Sequence, residues 1–577
     1  MDSPGDPDGR LPRTRSGYRL ITIAAIVGSL VTLYLGRNLW FFGDEFAFIL
    51  DRSATSLADL MRPHNEHWSI VPILVYRSIF SVVSLSSYLP YLGALAVINA
   101  SIGTLAGVIL RKAGAPLGVA ALVALGVTVL GAGAENLVWA FQIGFTLSLA
   151  TALAVVLVLG FGDRSRREDW LAASLLVLGV ASSGIGFAGL AGAVVALVLQ
   201  RDWRRLARVV GPAAVIGVAW LSIYRGAITG SHGSPSITET LLLLPRYVGT
   251  GLTAALDAVI GFGIGVGFAA LVAVIVALVA WFGGHWRPPI TVSMPLAAAA
   301  AMYVSTGIAR AQHFGIEQAA SSRYTHVGGV LLTVGLGSAL VSSQTFRRHW
   351  RHPAARFIIT GALCIAALAH VAALREFAHN RTGLTDPTRD GVVAAILAIE
   401  SDESAGFIPW AQPVPRNPDV SAESLAAALD SGQLRLGDSD RGAVGAEQIA
   451  VATASMKAQW TEPGRVPAAS AMLIEQVDVE VERVDGCVVV TPLGPEAHVV
   501  LAVARGGAIS FASSGPGTAE AFIDTVGGFA TAPALWRELA PDQPVDLVVA
   551  QAGDRATLVR VSLVSEAPFG VCATLDT

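Results

Sequence analysis

The sequence predicts an α-helical polytopic membrane domain of about eleven transmembrane helices, followed by a C-terminal extracytoplasmic β-sandwich-like domain. Three observations predict it. Of the 577 residues 53% are hydrophobic and only 14% charged, and the mean hydropathy of +0.59 is too high for an ordinary soluble protein. Long apolar runs recur between residues 18 and 375. From residue 475 onward the pattern changes to short alternating runs broken by Gly, Pro and Asp.

The apolar runs lie at 18–36, 88–110, 116–134, 143–161, 169–183, 184–200, 207–224, 260–282, 289–306, 325–342 and 355–375. Each approaches the ~20 residues that carry a helix across a bilayer. The first has no small-residue cleavage site and is followed by many others, so it is expected to be retained. Sixty glycines among plentiful Ala and Val suit close helix packing in lipid. The formal net charge of -4 says little about partners, because charge in such a chain is sorted by membrane side. The basic segments GRLPRTRSGYR, RKAG (111–114), DRSRRED (163–169), RDWRRLAR (201–208) and FRRHWRHPAAR (346–356) all fall on one side of an eleven-span count. That side is the cytoplasmic one, with the N-terminal tail 1–19. The membrane domain then runs over 20–376, and the loops 37–87, 134–142, 225–259 and 307–324 face outward with everything after 376. The apolar run 69–87 would upset this count as a span, so it is expected to lie at the outer interface with Tyr76 and Arg77 among headgroups; 241–260 reads the same way.

Residues 377–474 read as a mainly helical linker subdomain, with DGVVAAILAIES and SAESLAAALDSG as its helical stretches. Residues 475–577 carry VDVEVERV, GCVVVTPL, AHVVLAVA, GAISFAS, VDLVVAQA and TLVRVSLVS, the alternation of an antiparallel β-domain. Cys487 and Cys572 both fall there. A disulfide between them is permitted outside the cytoplasm, and spacing alone leaves open whether their Cβ atoms meet. Cys364 falls in the last span and is expected to pack.

Four outward clusters hold chemistry that an apolar chain otherwise avoids. Asp44 and Glu45 close the first span in GDEF; such a pair can take a proton from a hydroxyl or hold a divalent cation, or simply cap a helix. RPHNEHWS brings His64, Asn65, Glu66, His67 and Trp68, where two histidines without a third fixed ligand are a weak metal signal and a structural role competes equally. GAENLVWAFQIGF supplies Glu135, Asn136, Trp139 and Gln142. The stretch 305–328 adds Arg310, His313, Glu317, Arg323, Tyr324 and His326, with two arginines on the side depleted of positive charge. Headgroup anchoring would explain a single cluster. Four together are expected to form one site, in which an arginine fork suits a phosphate.

The acidic pair ending the first span, PHNEHW in the long first outer loop, and SRY before a late span resemble the GT-C superfamily of integral-membrane glycosyltransferases, over residues 20–375 and more loosely in the β-domain. The resemblance implies a polyprenyl-phosphate-linked sugar donor drawn from the lipid, a cell-envelope glycan acceptor, and no nucleotide. It makes Asp44 the general base of an inverting transfer, with Glu45 orienting it or sharing a Mg2+, Mn2+ or Ca2+ ion. Arg323, with Tyr324, Arg310 and His313, would receive the donor phosphate. His64, Asn65, Glu66, His67, Trp68, Glu135, Asn136, Trp139 and Gln142 would line the acceptor or sugar pocket, and the β-domain would bind carbohydrate. The Ala, Gly, Val and Arg richness suits an actinobacterium, where arabinose on decaprenyl phosphate is the expected donor and the plasma membrane the expected location. Nucleic acid is not an expected partner. A flippase of lipid-linked sugar and a non-catalytic glycan-binding scaffold are the rival readings.

Overall fold

The computed structural model describes residues 15–230, 236–261, 265–284, 287–401, 412–414, 417–461, 469–484, 487–494, 497–505, 507–514, 516–524, 535–541, 543–549, 557–564, 568–572 and 574–575. They divide into two compact units. The first comprises residues up to Leu39, Arg52–Arg77 and Leu89–Arg381, and the second Trp40–Asp51, Ser78–Tyr88 and Thr382–Thr577.

The first unit is helical. Among the described residues each apolar run of the sequence carries a helix: Arg15–Gly36, Leu89–Ala113, Leu117–Thr128, Ile143–Phe161, Arg166–Val180, Gly186–Leu199, Trp203–Gly230, Gly267–Gly284, Ile290–Phe314, Ser322–Ser342 and Pro353–Glu400. Among the described residues seven helices are long and apolar enough to cross a bilayer, and several shorter apolar helices accompany them. The chain is therefore a multi-pass membrane protein. Small residues set the packing in its first half. A Cβ on Gly103 would come within 2.7 Å of the Ala124 carbonyl oxygen, and one on Gly107 within 2.5 Å of Ile21, so these glycines four apart let three helices approach at backbone distance.

Not all charge in the basic segments sits in headgroups. Asp169 and Arg205 are buried and paired at 2.7 Å, with Arg208 3.0 Å from the other carboxylate oxygen, which ties the helix Arg166–Val180 to Trp203–Gly230. Ser165 and Glu168 close a capping box just before it. The two segments expected at the interface each bury one face against the helical unit. Tyr76, in the helix Ile70–Val83, is fully buried 5.1 Å from the Tyr91 ring, because its phenol finds an aromatic partner inside the bundle rather than a headgroup. The helix Ile237–Leu256 buries Tyr247, and its Gly251 seats the Tyr303 ring. Cys364 is exposed on its helix instead of packed, a thiol being apolar enough to face lipid.

The second unit carries the β-domain. Each of the six alternating stretches carries a strand among the described residues, and these strands belong to two six-stranded sheets. One contains His498–Arg505 between Thr557–Val564 and Ser470–Val477; the other contains Gly507–Ser513 between Val545–Val549 and Phe569–Cys572. Pairing is antiparallel except where Thr574–Leu575 runs parallel to Ser470–Ala471. Inward side chains of both sheets, among them Val499, Val503 and Val561 of one and Val488, Phe511 and Leu547 of the other, form one core. Sheet pairing begins before residue 475, since Gln459–Thr461 and Ser470–Val477 are already strands. DGVVAAILAIES is the end of the long helix Pro353–Glu400, and SAESLAAALDSG becomes the helix Ala422–Asp430 with Ser421 capping it. Arg389 to Asp440 and Arg441 to Glu400 pin this region by ion pairs.

Cys487 and Cys572 are directly opposed on neighbouring strands and are disulfide-bonded, 85 residues apart in sequence. Closing so long a loop restricts the unfolded chain. Cys572→Ser is therefore expected to destabilise the β-domain by about 2–4 kcal/mol, read as a lower melting temperature that a reductant lowers in the wild type but not in the variant.

Candidate functional site

The acidic pair belongs to the second unit. Glu45 is fully buried, and each of its oxygens is taken: Oε2 accepts the Phe42 N–H at 2.8 Å and Oε1 accepts the Tyr88 hydroxyl at 2.8 Å. Phe41 packs on Tyr88 at 4.9 Å and so encloses the carboxylate. That arrangement fixes the turn that starts the helix Glu45–Leu50. It does not suit a cation on Glu45, since both oxygens already face donors. Asp44 precedes this helix, is half-buried, and makes no side-chain cap bond. Among the described residues no three His, Cys, Asp or Glu side chains gather as a metal would need.

The other three clusters meet in the first unit. Residues 52–63 are organised by a residue the sequence did not single out. Arg52 is buried and donates to the carbonyls of Asp59 and Arg62 at 2.8 Å and of Pro63 at 2.7 Å. Asp59, on the helix Leu57–Met61, accepts from Ser53 N–H at 3.1 Å, while Ser56 caps that helix. The chain then turns tightly. His64 and His67 exchange both backbone hydrogen bonds at 2.9 Å, with exposed Asn65 at φ 51° between them, a left-handed conformation that Asn tolerates.

This turn delivers Glu66 to Arg310. The Arg310 guanidinium engages Glu66 Oε1 through both Nε and Nη2. His67 lies beside the pair, its Nε2 3.8 Å from the same oxygen. Gly184 N–H donates to His67 Nδ1 at 3.3 Å, which leaves the ring proton on Nε2, facing Glu66. A Cβ on Gly184 would lie 2.8 Å from that nitrogen, so glycine is what lets the backbone reach the ring. Burial lowers the His67 pKa to about 4 against a smaller opposing pull from Glu66. Burial pushes the Glu66 carboxyl upward, but His67 and Arg310 outweigh it and hold its pKa below the usual value. Since His67 is neutral near pH 7, Arg310 is the charge that matters there.

A second, looser pair stands nearby. Arg323, at the start of the helix Ser322–Ser342, has its Nε 3.7 Å from Glu135 Oε2, too long for a hydrogen bond, and both atoms are buried with no hydrogen-bond partner among the described residues. The backbone there is fixed by Glu135 N–H donating to Ser322 Oγ at 3.1 Å and Asn136 Nδ2 donating to the Arg323 carbonyl at 2.9 Å. Asn136 Nδ2 also faces His326 Nδ1 at 3.3 Å. The charges of Arg310 and Arg323 both act on His67 and on Tyr324, which places the two pairs in one electrostatic neighbourhood. Aromatic rings connect the walls. Phe145 lies 5.3 Å from His67 and 6.1 Å from Tyr324; Phe141 lies 5.5 Å from His64 and 5.2 Å from Trp139. Arg381 covers the Trp139 ring at 4.8 Å.

Trp68 stacks on Trp220 at 5.5 Å, and Trp220 Nε1 donates to the Met61 carbonyl at 2.8 Å, so the helix Trp203–Gly230 clamps the loop from behind. Trp220, Phe145 and Arg52 carried no sequence signal, the first two because an aromatic in an apolar run looks like any core residue. His313 is exposed near the end of the helix Ile290–Phe314. Gln142 is fully buried, and among the described residues neither its Oε1 nor its Nε2 has a partner. Leaving such groups without partners costs about 1–3 kcal/mol each.

Because the folded chain holds His67 at about 4 against 6.5 when unfolded, the unfolded state binds more protons across that interval. Stability is thus complete above pH 6.5 and falls as pH drops toward 4, by on the order of 3 kcal/mol. Melting temperatures in detergent across this range are expected to show the slope. His67→Gln should flatten it; an unchanged slope in the variant would exclude His67 as its source.

No protein-family model and no curated protein matches the chain. Among solved structures it is similar to ArnT from Cupriavidus metallidurans bound to undecaprenyl phosphate, at 14% identity over 79% of this chain and 94% of that one, with a TM-score of 0.43. The apo state of the same protein gives 13% identity over 78% and 93%, also with a TM-score of 0.43. The arabinosyltransferase EmbB from Mycobacterium smegmatis gives 10% identity over 98% of this chain and 65% of that one, with a TM-score of 0.35.

Proposed function

We propose that the protein is a membrane glycosyltransferase that moves a sugar from a polyprenyl-phosphate donor to an extracytoplasmic cell-envelope glycan, with inversion. The observation that supports this most is Arg323. It is a partly buried cation in a multi-pass membrane protein, opposed only loosely by Glu135 and with a buried Nε lacking any hydrogen bond among the described residues. Cleaving a sugar from a polyprenyl phosphate leaves a growing negative charge on the phosphate oxygens, and a fixed guanidinium held ready for that charge lowers the barrier. A carboxylate at 3.7 Å is a partner that such a phosphate can outcompete. Arg310 plays a different part in this reading. Its fork is occupied by Glu66, so it holds the His64–Trp68 turn in place and adds positive potential to the phosphate site.

Asp44 is assigned the base by the sequence resemblance, and Glu45, committed to Phe42 and Tyr88, is a positioning residue. The Cys487–Cys572 bond supports an extracytoplasmic β-domain, since disulfides persist in oxidising compartments. Arabinose on decaprenyl phosphate is the first donor to try, with mannose second.

Purified protein should transfer radiolabelled sugar from synthetic polyprenyl-phosphate donors to cell-wall glycan. Arg323→Ala is expected to lower kcat by about 10²–10³, and Asp44→Asn to remove most transfer while donor binding persists. Donor binding without transfer, indifferent to both substitutions, would favour a carrier instead.

A further inference from the structure

The membrane unit carries a second buried charge cluster, away from the His67 turn. Asp169 and Arg205 stand in the first turns of Arg166–Val180 and Trp203–Gly230, and both are buried. The His67 turn instead meets the far end of the first of these helices: Gly184 N–H donates to His67 Nδ1, and Val71 N–H to the Ala181 carbonyl at 3.3 Å. At about 1.5 Å of rise per residue, Asp169 lies about 20 Å along the helix from that contact. Its segment and that of Arg205, DRSRRED and RDWRRLAR, are ones that the charge rule assigns to the cytoplasmic side.

Charge does not balance in this cluster. Asp169 Oδ1 accepts from Arg205 Nε at 2.7 Å, and Arg208 Nη2 stands 3.0 Å from Oδ2, so one carboxylate faces two guanidiniums. Arg205 Nη2 and Arg208 Nε are buried and, among the described residues, have no hydrogen-bond partner. Tying the two helices together needs only Arg205. The neighbouring acids are engaged with backbone: Asp202 Oδ1 accepts the Arg205 N–H at 3.2 Å, and the Glu168 oxygens accept the Asp163 and Ser165 N–H groups. Two guanidiniums with unspent N–H groups and a net positive charge suit a phosphodiester, whose oxygens match the arginine fork.

The surroundings say which phosphate. Arg208 is partly exposed, so the cluster can be reached from outside the bundle. Trp170, beside Asp169, and Trp203, two residues before Arg205, are 58% and 60% exposed, and Leu171 is exposed as well. Exposed indoles at the end of a span belong at headgroup depth, and an exposed leucine next to them belongs against acyl chains. A water-soluble anion gains nothing from these side chains, whereas an anionic phospholipid satisfies the guanidiniums and the apolar rim together. Independently of the transferase reading, we propose that Arg205 and Arg208 hold the phosphodiester of an anionic phospholipid of the inner leaflet, with Trp170 and Trp203 beside its glycerol.

The test titrates phosphatidylglycerol and phosphatidylcholine onto the full-length protein in neutral detergent, with bound lipid counted by native mass spectrometry. Phosphatidylglycerol should bind about 10-fold or more tighter. Arg208→Gln should remove most of that preference, and its fold should persist because Asp169 still holds Arg205. Arg167→Gln takes the same charge from an exposed position and should keep the preference. Trp203→Ser leaves the ion pairs intact and should weaken phosphatidylglycerol binding about 3-fold. Equal affinity for the two lipids overturns the proposal. So does an equal loss in Arg167→Gln and Arg208→Gln, which would reduce the effect to diffuse surface charge, and so does binding unaffected by both Arg208→Gln and Trp203→Ser. Displacement of phosphatidylglycerol by inorganic phosphate or by polyglutamate would overturn it in favour of a soluble phosphate or an acidic protein.

Discussion

The polar cluster of the membrane unit depends on the ion pair between Glu66 and Arg310. Neither residue would be stable there alone, because an uncompensated charge in a low-dielectric interior costs several kcal/mol, about 3–5 when one member of a buried pair is removed. Together they fix a loop to a transmembrane helix. The loop has little apolar surface of its own to hold it, and its remaining anchors are Arg52 gripping three carbonyls and the Trp68 and Trp220 stack. With the turn held, His67 is buried neutral against Gly184, and the neighbouring Arg323 is left as the cation less fully engaged. In the proposed reading the two arginines divide the work of structure and of anion recognition, although they look equivalent in sequence.

Much of the architecture was legible because the bilayer imposes a coarse rule. Among the described residues each apolar run carries a helix, and each alternating run after residue 475 carries a strand. Period and length carry that information without any knowledge of partners. The failures came where a partner decides. Tyr76 looked like an interfacial anchor and is instead buried on Tyr91; Cys364 looked like a core residue and faces outward. The domain boundary was blurred for the same reason, since the stretches 40–51 and 78–88 group with the C-terminal unit despite lying far from it in sequence.

The candidate site was half legible. That His64–Trp68, Glu135–Gln142 and Arg310–His326 converge could be argued from their shared cost in lipid, and those three groups do assemble in one unit. What could not be read was who pairs with whom. Glu45 seemed an equal of Asp44, yet Tyr88 and the Phe42 amide consume it, and that hydroxyl is 43 residues away in the chain. Likewise nothing in the spacing marks Gln142 as a buried amide with both ends unanswered; the signal is an absence of partners, visible only once the fold is known.

A structure of the full-length protein with undecaprenyl phosphate would test the central claim most directly. The account predicts phosphate density within hydrogen-bonding distance of the Arg323 guanidinium, with Glu135 displaced from it and Arg310 still on Glu66. Phosphate density elsewhere, with the loose pair of Arg323 and Glu135 undisturbed, would contradict it.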